Sequence, residues 1–218
     1  MVIKTVVGSL YYAYKYKKQI AQATVIPILL SMILEWLLAD ITSGFLAVIL
    51  LLPQFVLPAI VAINVHRVVI SGENSVPKWG RFKIGKIELR FIGYSMLMIT
   101  AFLPVALLSA LDVSPVVTLS LILLVILPLI CRLSIIFPAI AVGKDVSLQY
   151  AWEVSKSNTL YICGVMLLMF LLSMLVIMPI AFLSSSQLLL GVIGQIVGIF
   201  IIVSLSLTYS HIVKVKQN

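Results

Sequence analysis

The chain has 218 residues, of which 62% are hydrophobic and 10% are charged, and its formal net charge is +8. So small a polar fraction excludes a water-soluble globule, because it could not cover the surface of one. In a soluble protein the positive charge would suggest nucleic acid, but cations on a membrane protein face anionic lipid headgroups. The predicted partners are therefore membrane lipids and not nucleic acid.

Six apolar stretches are long enough to cross a bilayer, which takes about 20 helical residues. They cover residues 21–39, 43–66, 89–111, 116–137, 160–183 and 188–211. The sequence therefore predicts an all-α integral membrane protein with six transmembrane helices, in which residues 1–218 form a single polytopic domain.

The distribution of Lys and Arg predicts the orientation of these spans. The gaps at residues 40–43, 112–115 and 184–187 contain no Lys or Arg, whereas the two termini and the regions of the second and fourth gaps hold all fifteen. Cytoplasmic segments are enriched in these residues. Both termini are therefore predicted to be cytoplasmic.

The N-terminal segment has the pattern of a helix lying in the membrane interface. Its apolar residues follow the spacing of one helical face: Ile3, Val6, Val7, Leu10, Ala13 and Tyr14. Lys4, Lys15 and Lys18 fall on another face. Lysines and tyrosines occupy the region where a cleavable signal peptide needs its apolar core, so we expect the first span to be retained.

Three polar residues inside the spans form the predicted intramembrane polar site: Glu35, Gln54 and Gln195. Glu35 lies roughly 20 Å from the cytoplasmic start of its span at 1.5 Å per residue. A carboxylate at this depth must be protonated, paired or in contact with water. It is either a proton or cation ligand, or it reaches headgroup water at the outer boundary beside Trp36.

The second gap contains turn residues at 72–77 and glycines at 80 and 85, which favour a loop over a helix. Its cations and those of the N-terminal segment form the predicted lipid headgroup surface. These are Lys15, Lys17, Lys18, Lys78, Arg81, Lys83 and Lys86. Each is expected to contribute about 1 kcal/mol of attraction to an anionic surface.

Four further residues are predicted at the cytoplasmic interface: His66, Arg67, Arg132 and His211. The two imidazoles share one predicted depth, which is compatible with a metal or proton site. No carboxylate of either segment completes a ligand set, so hydrogen-bonded interfacial histidines are the favoured interpretation and no metal is expected. Arg132 is expected to extend its head to cytoplasmic water.

Other features of the spans favour packing over chemistry. Cys131 and Cys163 lack the spacing of a metal or redox motif and are predicted to be small packing residues. The Gly194 and Gly198 pair is typical of close helix approach. Prolines deep in several spans are expected to bend them. No enzyme motif is present, so we expect no enzymatic activity and no cofactor.

A second interfacial helix is predicted between Asp145 and Asn158. Asp145 is expected to cap it, and Leu148, Ala151 and Trp152 to form its buried stripe. Residues 9–18 and 147–156 are identical at five positions, with an offset of 138 residues. Together with the basic stretch near Lys78, this predicts three hairpin repeats of about 69 residues.

The stretch 132–158 carries an arginine, a proline, an acidic loop residue and the sequence Ala-Trp-x-x-Ser. It resembles bacterial six-span inner-membrane proteins of the YciC-like type, which are related to the membrane domain fused to some glycerophosphodiester phosphodiesterases. The resemblance implies an all-helical bundle in the bacterial inner membrane with a role around lipids or the envelope. It carries over no phosphodiesterase activity, because this chain has no such soluble domain.

The sequence favours a non-enzymatic inner-membrane protein that acts through lipid or protein contacts. A second copy of the chain or another membrane protein is a further expected partner. The alternative is a small-solute or ion transporter that uses Glu35 and the proline-broken helices. Mid-depth polar residues are scarce, which favours the first function.

Overall fold

A computed structural model describes residues 1–39, 44–183 and 186–217. Throughout these ranges the regular structure is helical, and they contain no strand. Six stretches are long and apolar enough to cross a membrane: Lys17–Leu38, Leu52–Ser71, Lys86–Ala110, Pro115–Ala141, Leu148–Leu183 and Leu189–Lys214. The predicted all-α fold with six spans is confirmed, and the chain is a multi-pass membrane protein.

The first three helices form the N-terminal part of the bundle. Helix α1 (Val2–Lys15) ends at Tyr16, and α2 (Lys17–Ala39) begins directly after it. Helix α3 (Gly44–Ser71) returns to the same end of the bundle and packs along α2. We call this end the basic end, defined by α1, the start of α2, the end of α3 and the loop 72–85.

Helix α1 packs against neighbouring helices with only part of its predicted apolar face. It buries Val6, Ser9 and Ala13 against neighbouring helices. The predicted apolar stripe is split, because Ile3 and Val7 are more than half exposed. The Ser9 hydroxyl lies 2.7 Å from that of Ser204, which explains why a serine takes a buried position on this face. The outer apolar residues of α1 are therefore free to meet lipid.

Proline positions explain the breaks in the third and fourth spans. The third span consists of α4 (Lys86–Thr100) and α5 (Leu103–Ala110), with Pro104 in the first turn of α5. The fourth consists of α6 (Pro115–Leu121), a π-helical segment (Ile122–Ile126), α7 (Leu127–Leu133) and α8 (Ile136–Ala141). Pro128 lies in the first turn of α7, two residues after the π-helical segment ends, as expected for a residue that cannot donate a backbone hydrogen bond.

The second predicted interfacial helix is α9 (Leu148–Ser155), but Asp145 does not cap it. Ser147 is its N-cap, since the Ser147 hydroxyl accepts the N–H of Tyr150 at 3.3 Å. Asp145 accepts a hydrogen bond from Arg90 and pairs with Lys86 at 3.6 Å. The bond from Arg90 lowers the pKa of Asp145 below its usual value. Asp145 therefore ties the loop before α9 to the start of α4.

The buried stripe of α9 is also shifted. Its buried residues are Ala151, Val154 and Ser155, whereas Leu148 is half-buried and Trp152 is 41% exposed. A 3₁₀ turn (Lys156–Asn158) separates α9 from α10 (Thr159–Leu183), and α11 (Gln187–Gln217) completes the bundle. Helix α1 thus lies directly before the first span, whereas α9 and the 3₁₀ turn form the start of the fifth apolar stretch, Leu148–Leu183. Superposition of the two hairpins remains a prediction.

Tight packing is concentrated toward the basic end. The largest core cluster joins α3, α4, α7, α8, α9, α10 and α11, and it includes the fully buried Ile135, Ile136 and Ile162. Helices α5 and α6 at the opposite end bury no residue. Their apolar side chains, such as Leu107 and Val116, are exposed and suited to lipid contact. Any rigid site is therefore expected at the basic end.

Candidate functional site at the basic end

A polar cavity of about 370 Å³ opens at the basic end. The first turns of α2 supply Lys18, Gln19 and Gln22, and the loop after α3 supplies residues 73–74 and 76–78. The Gln19 amide donates to the Glu73 carboxylate at 2.8 Å and joins the two walls. Lys18 and Lys78 come from the two separate basic segments of the sequence and both line this cavity.

The other predicted headgroup residues surround the cavity without sharing a single pocket. Lys15 lies over the ring of Tyr16 at 5.2 Å, and Lys17 lies over that of Tyr14 at 4.2 Å. Lys83 and Lys86 are exposed on the loop and on α4, whereas Arg81 is half-buried. The structure therefore brings together only Lys18 and Lys78 in one site.

Aromatic side chains accompany these lysines. Tyr14, Trp79 and Phe82 are exposed by 68%, 56% and 45%. Such side chains prefer the level of the lipid headgroups, where an apolar ring and a polar environment meet. Tyr12 is turned inward, and its hydroxyl donates to the Val69 carbonyl at 3.2 Å. Burial raises the pKa of Tyr12, which keeps this hydroxyl neutral and able to donate.

The two histidines are not brought together as a pair. The His66 ring is buried, and its Nδ1 lies 2.7 Å from the hydroxyl of Ser206. His211 instead meets the edge of the Tyr161 ring, with the two centroids 5.7 Å apart, and its buried Nε2 has no partner. The described residues contain no group of three His, Cys, Asp or Glu suited to a metal ion. The prediction of hydrogen-bonded interfacial histidines therefore fits His66 but does not fit the Nε2 atom of His211.

Arg132 contacts protein, whereas we predicted that it extends into water. Its guanidinium lies 3.4 Å from the centroid of the Trp152 ring, and its Nη2 donates to the Trp152 carbonyl at 3.1 Å. Its Nε donates to the Ser155 hydroxyl at 3.4 Å. The arginine and the Ala-Trp-x-x-Ser sequence that carry the family resemblance therefore form one contact between α7 and α9.

The predicted intramembrane polar site is only loosely assembled. Glu35 is exposed, and Gln54 and Gln195 are half-buried. A Cβ placed on Gly191 would lie 3.6 Å from the Glu35 carboxylate, so Glu35 lies against α11 one turn from Gln195. Among the described residues no hydrogen bond joins any two of these three. This arrangement agrees better with the outer-boundary interpretation of Glu35 than with a closed ligand site.

Two buried polar residues near the loop were missed by the sequence analysis. Glu88 is 3% exposed, and its carboxylate accepts the N–H of Gly85 at 3.0 Å. Asn64 donates to the Ala23 carbonyl at 3.1 Å and accepts the N–H of Arg81 at 3.3 Å. An acidic residue three positions after Gly85 is a capping signal that could have identified the start of α4. The role of Asn64 depends on chain segments that are distant in sequence.

Comparison of the chain with protein-family models, curated proteins and solved structures gives no match. The resemblance to YciC-like proteins therefore stays a prediction from the sequence, and the function must be argued from the site itself.

Proposed function

We propose that this chain is a non-enzymatic protein of the bacterial inner membrane whose basic end faces the cytoplasm and binds anionic phospholipid headgroups. The observation that carries the proposal is the shared cavity of Lys18 and Lys78. Two lysines that are 60 residues apart in the sequence converge on one polar opening. The exposed rings of Tyr14, Trp79 and Phe82 lie at the same end of the bundle, and such rings prefer the depth of the lipid headgroups.

The polar walls of the cavity support recognition of a whole headgroup. The lysines supply positive charge for a phosphodiester, since each ammonium carries three donors and no acceptor. Gln22 and Asn74, on the same walls, supply amide groups for hydroxyl or phosphate oxygens. Such a site would select lipids whose headgroup combines a phosphate with further hydrogen-bonding groups.

The test is a comparison of two double variants of equal charge. Lys18→Gln with Lys78→Gln removes both lysines of the cavity. Lys4→Gln with Lys156→Gln removes two exposed lysines that do not line it. Purified proteins are analysed for bound lipid by native mass spectrometry. We expect the first variant alone to lose anionic lipid. Equal lipid content in both variants would leave these lysines as topology signals only.

The proposed orientation has its own test. A cysteine at Asn74, an exposed neighbour of Ser75, should react with an impermeant reagent only from the cytoplasmic side. A cysteine at Asp112, in the gap at the opposite end, should react only from outside. Both native cysteines are replaced by serine in these proteins. Ser185, the outer position that the sequence first suggests, lies outside the described residues. Reversed labelling would contradict the orientation.

The alternative function, a small-solute or ion transporter, has weaker support. It needs polar groups that face one another at mid-depth, and Glu35, Gln54 and Gln195 share no hydrogen bond within the described part of the chain. The Glu35 variant considered in the Discussion tests it directly.

A further inference from the structure

Arg67 is a buried cation whose guanidinium has one nitrogen without a hydrogen-bond partner. The residue is 6% exposed, and its Nε donates to the Ala141 carbonyl at 2.6 Å. Its Nη1 is buried and has no partner. A guanidinium has five N–H donors, and buried donors in folded proteins are nearly always satisfied. The unpartnered nitrogen therefore points to a ligand that completes this site.

The charges around Arg67 leave an excess of one positive charge. The nearby guanidinium of Arg81 repels that of Arg67, and the carboxylate of Glu88 attracts it. No ion pair joins Arg67 to an acidic residue in the described ranges. Electrostatic interactions at Arg67 thus involve two guanidinium groups and one carboxylate. In a poorly hydrated site such an excess is costly unless an anion offsets it.

Backbone contacts fix the chain segments that carry Arg81 and Glu88. Gly80 has φ +87°, and a Cβ there would lie 2.6 Å from the Ala23 carbonyl oxygen, so the loop is seated tightly against α2. Asn64 accepts the N–H of Arg81 at 3.3 Å and fixes the next residue of the loop. Glu88 is held by the N–H of Gly85. The backbone of this segment is therefore ordered before any ligand arrives, which lowers the cost of binding one.

We propose that Arg67 and Arg81 together bind one phosphate group at the basic end. Phosphate suits two guanidinium groups because its oxygens accept paired N–H bonds in the planar geometry that arginine offers. Arg81 is half-buried, so the site reaches the surface at this residue. The source is either a phospholipid headgroup or a free phosphate. The site is separate from the lysine cavity, which neither arginine lines.

The experiment measures thermal unfolding of the full chain in an uncharged maltoside detergent. Inorganic phosphate is titrated against chloride at equal ionic strength in one arm, and phosphatidylglycerol is added in the other. A ligand that binds only the folded state raises the unfolding midpoint in proportion to its occupancy. A rise with inorganic phosphate identifies a free anion as the ligand, and a rise with the lipid alone identifies a headgroup.

Variants of the loop decide whether the effect belongs to this site. Arg81→Gln should weaken the apparent affinity by about ten- to a hundredfold, the range expected for lost hydrogen bonds to a charged group. Arg81 contacts Asn64 through its backbone, so this variant should still fold. Lys83→Gln removes the same charge from an exposed position two residues away and should leave the affinity unchanged.

Two results would overturn the inference. One is the absence of stabilisation by either ligand, which would mean that water satisfies Arg67. The other is an equal loss of affinity in Arg81→Gln and Lys83→Gln, which would indicate general surface attraction. The Lys18→Gln, Lys78→Gln protein should keep the phosphate response, so failure of the lysine cavity and failure of this site are distinguishable.

Discussion

The guanidinium of Arg132 is stacked on the indole of Trp152, with 3.4 Å between its central carbon and the ring centroid. The same side chain donates to the Trp152 carbonyl, so it contacts both the ring and the backbone of α9. Arg132, on α7, is thereby fixed to α9, which follows α8 in the chain. This contact is a structural clamp between α7 and α9, and it replaces the solvated arginine expected from the sequence.

Replacement of Arg132 by lysine distinguishes the clamp from a solvated arginine. Lysine keeps the charge and extends to water equally well, but it cannot stack as a plane or donate from a rigid fork. We expect Arg132→Lys to destabilise the protein by about 1–2 kcal/mol, measured by unfolding in detergent. Trp152→Leu should cost a similar amount. Unchanged stability of Arg132→Lys would contradict the clamp.

Two glycines with positive φ allow loop packing to be separated from backbone strain. Gly80 has φ +87°, and a Cβ added there would lie only 2.6 Å from the Ala23 carbonyl oxygen. Gly72 has φ +91°, and a Cβ added there would have no atom within 4 Å. Gly72→Ala should cost roughly 1–3 kcal/mol from backbone strain alone, because φ +91° with ψ 176° is a conformation that essentially only glycine adopts. Gly80→Ala should cost clearly more, because the loop must also move away from α2. An equal loss of unfolding free energy in the two variants would mean that the loop does not pack closely against Ala23.

The two native cysteines provide a test of the packing of α7 against α10. Cys131 is buried in the main core cluster, and Cys163 packs against that cluster. Both are free. A disulfide requires Cα atoms within about 7 Å. We expect a membrane-permeant oxidant to join them, measured as the loss of two alkylatable thiols after denaturation. Cys131→Ser should keep one thiol, and persistence of both thiols in the native protein would contradict the contact.

Glu35 separates the two proposed functions most directly. At the outer boundary, Glu35→Gln should change the unfolding free energy by no more than a few tenths of a kcal/mol and leave any flux unaltered, as for ordinary surface sites. As a buried ligand, the same change should abolish flux and leave stability equal or higher, since the amide avoids the cost of a desolvated carboxylate. We expect the first result, measured by unfolding and by liposome flux. A large gain in stability would favour the transporter.

The sequence by itself determined the all-helical membrane architecture, because the length and hydropathy of a span are local properties. It also located the loop at residues 78–85, since glycine and turn residues act on their own backbone. The breaks before Pro104 and after the π-helical segment have the same local origin. These features need no knowledge of which helices are neighbours.

Only the tertiary structure decided the details of the candidate sites. The convergence of Lys18 with Lys78, the fixing of Arg81 by Asn64 and the burial of Glu88 each join segments that are distant in sequence. The division of the apolar face of α1 between protein and lipid was not predicted, for a related reason. In a membrane both the lipid-facing and the protein-facing sides of a helix can be apolar, so hydrophobic periodicity does not distinguish Val7 from Val6. That choice depends on the shape of the neighbouring helices and on the Ser204 hydroxyl, which donates a hydrogen bond to the hydroxyl of Ser9.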